Sequence, residues 1–216
     1  MVVAAAAEDY VRAIYWHTEW QAEPITTSVL AARLGLAASS VTEMVKKLAS
    51  QGLVSHEPYG AVELTVDGAA LAVAVTRRHR LIETWLVSRM GYRWDEVHDE
   101  AEVLEHAISD RLLDALDAQL GFPVRDPHGD PIPAADGTVS RPDAIRLGDA
   151  LEGHRGAVVR IRDRDPLLLR HLEAEGVLLD VGVQLSERGA STSRLIVAGR
   201  DLELATPALA SIWVSA

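Results

Sequence analysis

Two histidines and two glutamates share one face of a predicted helix in the segment VHDEAEVLEHAIS, residues 97 to 109. At about 100° of rotation per residue, the four positions fall within roughly a 100° arc. Imidazole nitrogens and carboxylate oxygens are ligands for divalent metals. The pattern is therefore typical of a metal site, although a solvated acidic helix would show it too. The four residues are His98, Glu102, Glu105 and His106.

A second pair of possible ligands, His79 and Glu83, is spaced i, i+4 on the preceding predicted helix. Alone, such a pair usually makes a surface contact. Catalytic patterns fit less well, because the chain has no H-E-x-x-H motif and Val103 occupies the position that the Glu-x-x-His spacing of di-iron bundles needs. Metal binding without catalysis is therefore favoured.

The composition limits the class of protein. With 216 residues and 48% hydrophobic content, the chain can form one or two compact domains. The sequence contains no cysteine, which excludes disulfides and thiolate ligands, so any metal must be bound through oxygen and nitrogen. It has no run of 18 apolar residues and no basic flank typical of a secretory signal. We therefore expect a cytoplasmic protein with no membrane partner.

The charge is strongly acidic but unevenly distributed. A formal net charge of −11 argues against nucleic-acid binding through bulk positive charge. However, the lysines Lys46 and Lys47 are adjacent, and a basic cluster occupies residues 77–80. A local basic surface is compatible with the acidic total.

Residues 25–54 have the pattern of a helix-turn-helix unit. Two short apolar helical faces are separated by Gly35, and Ser39 and Ser40 can cap the second helix. An ordinary helical hairpin would have similar spacing, but residues 53–66 alternate around a PYG turn and predict a two-stranded wing. The combination predicts a winged helix.

The solvent-facing positions of the second helix mix side chains that can contact phosphates and base edges. A merely solvated face could have the same mixture. We predict that the DNA-contacting residues are Ala37, Ser39, Ser40, Thr42, Glu43, Lys46 and Lys47.

The remainder of the chain divides near residue 140. Helical patterns over about 67–90 and 109–120 suit a dimerisation core. Residues 122–143 are rich in proline, glycine and aspartate, as a linker or an ordered wrapping loop would be. Beyond them, about five short β-branched runs and one short helix predict a small barrel.

The ordered motifs EDYVRAIY, SSVTEMVKKL, RRHRLIE, VHDEAEVLEH and HGDPIP resemble those of the diphtheria toxin repressor family of metal-dependent transcriptional repressors. The resemblance covers nearly the whole chain. It implies a mainly α fold, with a winged helix-turn-helix DNA-binding domain (1–72), a helical dimerisation and metal-binding domain (73–140) and an SH3-like (FeoA-like) small β-barrel (141–216). It also implies a homodimer that binds palindromic double-stranded operator DNA and is not an enzyme.

The same resemblance implies two metal ions per subunit. The primary site would comprise Asp9, Glu102, Glu105 and His106. The second site would comprise His79, Glu83, His98 and a carboxylate of the third domain, for which Asp163 is our choice. In manganese-dependent members the DPHG loop also contributes, which makes Asp126 and His128 candidates.

Differences from the iron-dependent relatives at two ligand positions indicate which metal the site prefers. Iron-dependent relatives have methionine where this chain has Asp9 and cysteine where it has Glu102. Hard carboxylate oxygens instead suit Mn(II). Arg12 stands where some manganese-dependent relatives have a glutamate for a second ion, so we place that ion near His79 and Glu83.

The resulting hypothesis is a repressor that is activated by Mn(II) and controls manganese uptake and homeostasis. An Fe(II)-dependent repressor of the same family is the alternative. Hypotheses of another class are a metal-binding enzyme and a winged-helix regulator that is independent of metal.

Overall fold

The computed structural model describes residues 4–57 and 60–216. The chain divides into two compact units, and the division falls within one long helix. Unit 1 contains the residues up to His79 together with Pro133–Thr138. Unit 2 contains Arg80–Ile132 and Val139–Ala216.

Unit 1 begins with three helices and a two-stranded antiparallel sheet. Their bounds are α1 Ala5–Thr18, α2 Thr27–Leu34, α3 Ala38–Ser50, β1 Val54–His56 and β2 Val62–Leu64. Helix α1 begins in the run of alanines that precedes Glu8, because alanine is a strong helix former. The predicted two-stranded wing is present, but residues 58 and 59 of its PYG turn lie outside the described residues.

Local capping and a bend position α3. The Thr26 side chain accepts a hydrogen bond from the backbone N–H of Val29 at the start of α2, and Gly35 ends that helix in the left-handed region at φ 66°. The chain then bends by 113° into α3, within the range of helix-turn-helix units. Val41 and Val45 of α3 are fully buried and pack in one cluster with Ile14 of α1. The packing of α1 therefore supports the helix that carries the predicted DNA contacts.

Among the described residues, no single helix is long and apolar enough to cross a membrane. Helices α2 and α3 taken together are long and apolar enough for a bent membrane span, but this statement rests on length and composition only.

The long helix α4 (Val66–Met90) enters unit 2 at Arg80 and is followed by α5 (Val97–Glu105) and α6 (Asp110–Leu120). These bounds confirm the predicted helical patterns. Ser109 caps α6 by accepting from the backbone N–H of Leu112.

The C-terminal part of unit 2 is a six-stranded antiparallel sheet with the order β3-β8-β4-β5-β6-β7. A buried aliphatic core covers one face of the sheet and includes residues of α7. The bounds are β3 Ala144–Arg146, β4 Arg155–Ile161, α7 Pro166–Ala174, β5 Gly182–Glu187, β6 Thr192–Val197, β7 Arg200–Ala205 and β8 Ile212–Ser215, with a 3₁₀ helix at Thr206–Ser211.

The loop after α6 is ordered where it passes β4. The backbone N–H of Ile161 donates to the carbonyl of His128 at 2.8 Å. Gly129 has φ 92°, and a Cβ at this position would lie 2.1 Å from the carbonyl oxygen of Val159. Of the two predicted alternatives, linker and wrapping loop, the structure therefore has the wrapping loop.

Substituting Gly129 with alanine should destabilise unit 2 by about 2 kcal/mol or more, because the new side chain combines a left-handed backbone with a steric clash. Gly153→Ala is the matched control, since Gly153 has φ 87° but open space where a Cβ would lie. Chemical denaturation of both variants measures the difference. Equal losses of unfolding free energy would show that the loop can move away from β4 at no cost.

Candidate metal centre

Glu83 is the central carboxylate of the candidate site in unit 2. Its side chain is only 1% exposed. One oxygen, Oε1, lies 3.3 Å from Nδ1 of His98, and the other, Oε2, lies 3.9 Å from Nδ1 of His128. The two oxygens of Glu83 thus face two different imidazoles.

His128 is oriented as a metal ligand. Its Nε2 lies 2.6 Å from the backbone carbonyl oxygen of Trp94, so in the neutral ring Nε2 carries the proton and donates it. The indole of Trp94 also stacks on the imidazole at 5.8 Å between ring centroids. Among the described residues, the buried Nδ1 has no hydrogen-bond partner. A buried lone pair aimed at a carboxylate, with the opposite nitrogen bound to a carbonyl, is the arrangement of histidines that bind metals.

Asp126 completes a three-residue cluster. Its Oδ1 accepts hydrogen bonds from the backbone N–H groups of His128, at 2.8 Å, and Asp130, at 3.0 Å, which fix the orientation of the carboxylate. Ligand atoms of Glu83, Asp126 and His128 all lie within 4.8 Å of one another. Two carboxylates and one imidazole at this spacing fit a hard divalent cation.

His98 joins this cluster to the C-terminal sheet. Its Nδ1 lies 3.3 Å from Oδ2 of Asp163, two residues after β4 ends. Burial alone would lower the pKa of His98, but the hydrogen bonds to Asp163 and Glu83 outweigh it and raise the pKa to about 11. Burial alone would raise the pKa of Asp163, yet the hydrogen bond and charge of His98 hold it well below its usual range. At neutral pH a proton on His98 therefore balances these carboxylates.

The environment of Asp126 favours its neutral form. Burial, together with the negative charges of Asp130 and Glu83, raises the pKa of Asp126 to about 7. An added positive charge would reverse this preference, because it would stabilise the ionised carboxylate.

The residues predicted for the primary site are divided between the two units. Asp9 lies on α1 in unit 1, where its Oδ1 is 3.7 Å from the guanidinium of Arg12. In unit 2, Glu105 is fully buried and its Oε1 lies 3.4 Å from Nε2 of His106. Glu102 is half-exposed, and its Oε1 lies 3.6 Å from Nε2 of His98. Within unit 2 the structure thus brings Glu105 to His106 and Glu102 to His98.

His79 is buried in unit 1 beside residues of α1. The Arg12 guanidinium donates to its Nδ1 at 2.9 Å, and the ring of Trp16 contacts it edge-on at 5.0 Å between centroids. Because Nδ1 accepts this hydrogen bond, the proton of the neutral ring lies on Nε2, so a cation would bind His79 only by displacing that proton or the Arg12 contact. The sequence analysis identified Arg12 as a departure from the family pattern but did not predict this hydrogen bond.

The sequence analysis also missed the residues around the ligands. Arg80 and Asp130 are buried beside Asp126, Arg160 is buried beside Asp130, and Trp94 orients His128. A possible signal was the second aspartate of the DPHGD segment. The arginines belong to remote segments with no spacing that links them.

The predicted DNA-contacting residues lie together on and before α3. All are exposed except Thr42, which is partly exposed and donates to the carbonyl of Ala38 at 2.9 Å. Lys46 pairs with Glu43 at 2.7 Å, and both side chains are largely exposed.

Two family profiles match the chain. The profile described as "Iron dependent repressor, N-terminal DNA binding domain" covers residues 3–62. The profile described as "Iron dependent repressor, metal binding and dimerisation domain" covers residues 65–134.

Curated relatives match most of the chain. The iron-dependent repressor IdeR of Mycobacterium leprae is 32% identical over 207 residues, which are 90% of this chain and 89% of the relative. The diphtheria toxin repressor of Corynebacterium efficiens is 34% identical over 183 residues, covering 82% of this chain and 79% of the relative.

Solved structures are also similar. A structure titled "Manganese-dependent transcriptional repressor complex with manganese" has 48% identity and a TM-score of 0.94, and covers 97% of this chain and 99% of its own. The manganese regulator SloR has 31% identity and a TM-score of 0.81, with 97% of each chain covered. The protein therefore belongs to the iron-dependent repressor family, the DNA-binding, metal-dependent transcriptional repressors that include the diphtheria toxin repressor.

Proposed function

We propose that this protein is a repressor activated by Mn(II) that binds a palindromic operator as a homodimer and controls manganese uptake and homeostasis genes. The observation that carries the proposal is the buried Nδ1 of His128, which has no hydrogen-bond partner among the described residues and lies near Glu83 and Asp126 in a set of oxygen and nitrogen ligands. Such ligands favour manganese over softer metals. The similarity to a repressor structure titled as a complex with manganese supports this choice of metal.

We further propose two cation sites per subunit. The primary site takes ligands from α1 and the α5 segment, and the second site takes ligands from α4, α5, the wrapping loop and the end of β4. The primary ligands are Asp9, Glu102, Glu105 and His106. The second-site ligands are drawn from His79, Glu83, His98, Asp126, His128 and Asp163.

The primary ligands suggest how metal binding could control DNA binding. A divalent cation supplies the positive charge that offsets like-charge repulsion among Asp9, Glu102 and Glu105. Asp9 would then restrain α1, whose Ile14 packs with Val41 and Val45 of α3. Restraint of α1 in both subunits would favour the spacing of about 34 Å that successive major grooves require. A hundredfold gain in operator affinity needs about 2.7 kcal/mol of coupling.

The proposal includes the finer architecture. We assign residues 1–72 to a winged helix, 73–140 to the dimerisation and metal-binding domain, and 141–216 to an SH3-like barrel. The antiparallel sheet of six short strands supports the third assignment. As a regulator that binds DNA, the protein would act in the cytoplasm.

The central experiment measures operator affinity against metal concentration. A DNA fragment is first selected from a random-sequence library with the manganese-loaded protein. Its dissociation constant is then measured in chelator, in Mn(II) and, anaerobically, in Fe(II). We expect affinity to increase about a hundredfold with Mn(II), as the coupling above requires. Equal binding in chelator would indicate a regulator that is independent of metal, and a stronger response to Fe(II) would indicate the iron-dependent alternative.

Glu102→Ala should weaken the manganese response of operator binding at least tenfold, because the variant removes a proposed primary ligand. Glu100→Ala on the same helix is the control, since Glu100 is in neither proposed site. The measurement is the Mn(II) concentration for half-maximal operator binding. A Glu102→Ala protein that responds like the parent would remove Glu102 from the primary site.

Manganese affinity at the second site should rise with pH. A cation displaces the proton of His98, whose pKa is about 11, and below pH 7 that of Asp126, whose pKa is about 7. Each displaced proton raises the apparent Mn(II) affinity about tenfold per pH unit. The affinity should therefore rise at least about a hundredfold from pH 6 to pH 8.

Calorimetric titration at several pH values measures this slope. His98→Ala should reduce it by about one proton per ion, while His154→Ala, which alters a histidine that belongs to neither proposed site and contacts the carbonyl of Ser215, should leave it unchanged. Identical slopes in all three proteins would show that His98 does not exchange its proton for the cation.

A further inference from the structure

Asp130 lies between two buried arginines. Arg160 Nε donates to Asp130 Oδ1 at 2.6 Å, and Nη2 of Arg80 lies 3.5 Å from the same oxygen. The side chains of all three residues are at most 10% exposed. On its other side, the Arg160 guanidinium stacks on the ring of Trp213 at 4.2 Å. Arg160 is thus held by β4 and β8, while Arg80 belongs to α4.

The same arginine, Arg80, also borders a proposed metal ligand. Its Nε lies 3.6 Å from Oδ2 of Asp126, and its Nη1 donates to the carbonyl of Pro131 at 2.6 Å. Asp126 and Asp130 are joined by two hydrogen bonds, because each backbone N–H donates to an oxygen of the other residue at 3.0 Å. One guanidinium therefore lies within ion-pair distance of both carboxylates.

The charges of these carboxylates and arginines would affect how strongly a cation binds. Once Asp126 is ionised, Glu83 and Asp126 would offer a cation two negative charges, while Arg80 lies within ion-pair distance of Asp126 and Asp130, and Arg160 within that distance of Asp130. Without a further carboxylate, the arginines would offset the charge of the ligands and repel a divalent ion in a poorly solvated site. Asp130 supplies that carboxylate: Arg160 contacts it at 2.6 Å, and Arg80 lies at nearly equal distances from Asp130 (3.5 Å) and Asp126 (3.6 Å).

We infer that Asp130 is a positioning residue that engages Arg80 and Arg160 and so leaves the Asp126 carboxylate available to the second cation. The inference rests on the proposed function, because it presupposes a cation at Glu83, Asp126 and His128. It assigns to β4 a part in metal affinity through Arg160, in addition to the ligand Asp163 that follows this strand.

The test is Asp130→Asn in the full-length protein, with Mn(II) binding followed by the electron paramagnetic resonance signal of the free ion. We expect one class of site to weaken about 10- to 100-fold, as is typical when a residue that orients a ligand is replaced. The other class should be unchanged. Asp180→Asn is the matched control, because it removes the same charge from the exposed ion pair with Arg125.

A second substitution separates charge from structure. Arg160→Gln alone should tighten the second site, and Asp130→Asn combined with Arg160→Gln should recover most of the lost affinity. A purely structural role for Asp130 predicts that the double variant binds no better than Asp130→Asn. That result, or Arg160→Gln binding no tighter than the parent, would overturn the inference even if Asp130→Asn failed to fold.

The failure of the proposed function has a different signature. If the parent protein binds no second Mn(II), or if Glu83→Gln leaves the number of bound ions unchanged, the second site itself is wrong. If the parent binds two ions, Glu83→Gln removes one and Asp130→Asn behaves like Asp180→Asn, only the role of Asp130 is wrong.

Discussion

The burial of the Glu83 carboxylate is the constraint on which the candidate site depends. A buried charge costs several kcal/mol unless other charges and hydrogen bonds compensate it. Asp126 and Asp163 add further carboxylates beside it, so positive charge must be provided locally. In the metal-free chain His98 provides it as a proton, with a pKa of about 11. At the proposed second site a divalent cation and this proton would supply the same positive charge, so metal binding there would depend on pH.

The surrounding fold keeps these carboxylates from separating. Glu83 belongs to a long helix, whereas Asp126 and His128 belong to a loop in which the carbonyl of His128 accepts a hydrogen bond from the backbone N–H of Ile161 in β4. Because Gly129 allows that loop to lie against the strand, the C-terminal sheet supports two proposed ligands that belong to a different segment of the chain. The sheet thus acts on the site through backbone contacts as well as through Asp163.

Helical periodicity predicted α4, α5 and α6, and turn residues with apolar spacing predicted the helix-turn-helix. Periodicity also placed His98, Glu102, Glu105 and His106 on one helix face. However, residues spread over a 100° arc can differ in burial and in the side chains they contact. In the structure Glu105 is fully buried beside His106, whereas Glu102 is half-exposed beside His98. Two features of the site depend on tertiary packing and could not be predicted from local sequence patterns. They are the hydrogen bond from Arg12 to His79 and the position of Asp130 between two arginines.

The weak net charge of the proposed DNA-contacting surface would make control of its position effective. The adjacent lysines of α3 are accompanied by Glu43, which pairs with Lys46 in an exposed contact that contributes little stability and can open to a phosphate. One subunit therefore gains little affinity from phosphate contacts alone. When two weak surfaces are joined in a dimer, the second contact is intramolecular, and its effective concentration depends on whether the spacing permits both contacts at once. In the proposed mechanism, a small change in the position of α1 would then alter operator affinity greatly, without any change in the residues proposed to contact DNA.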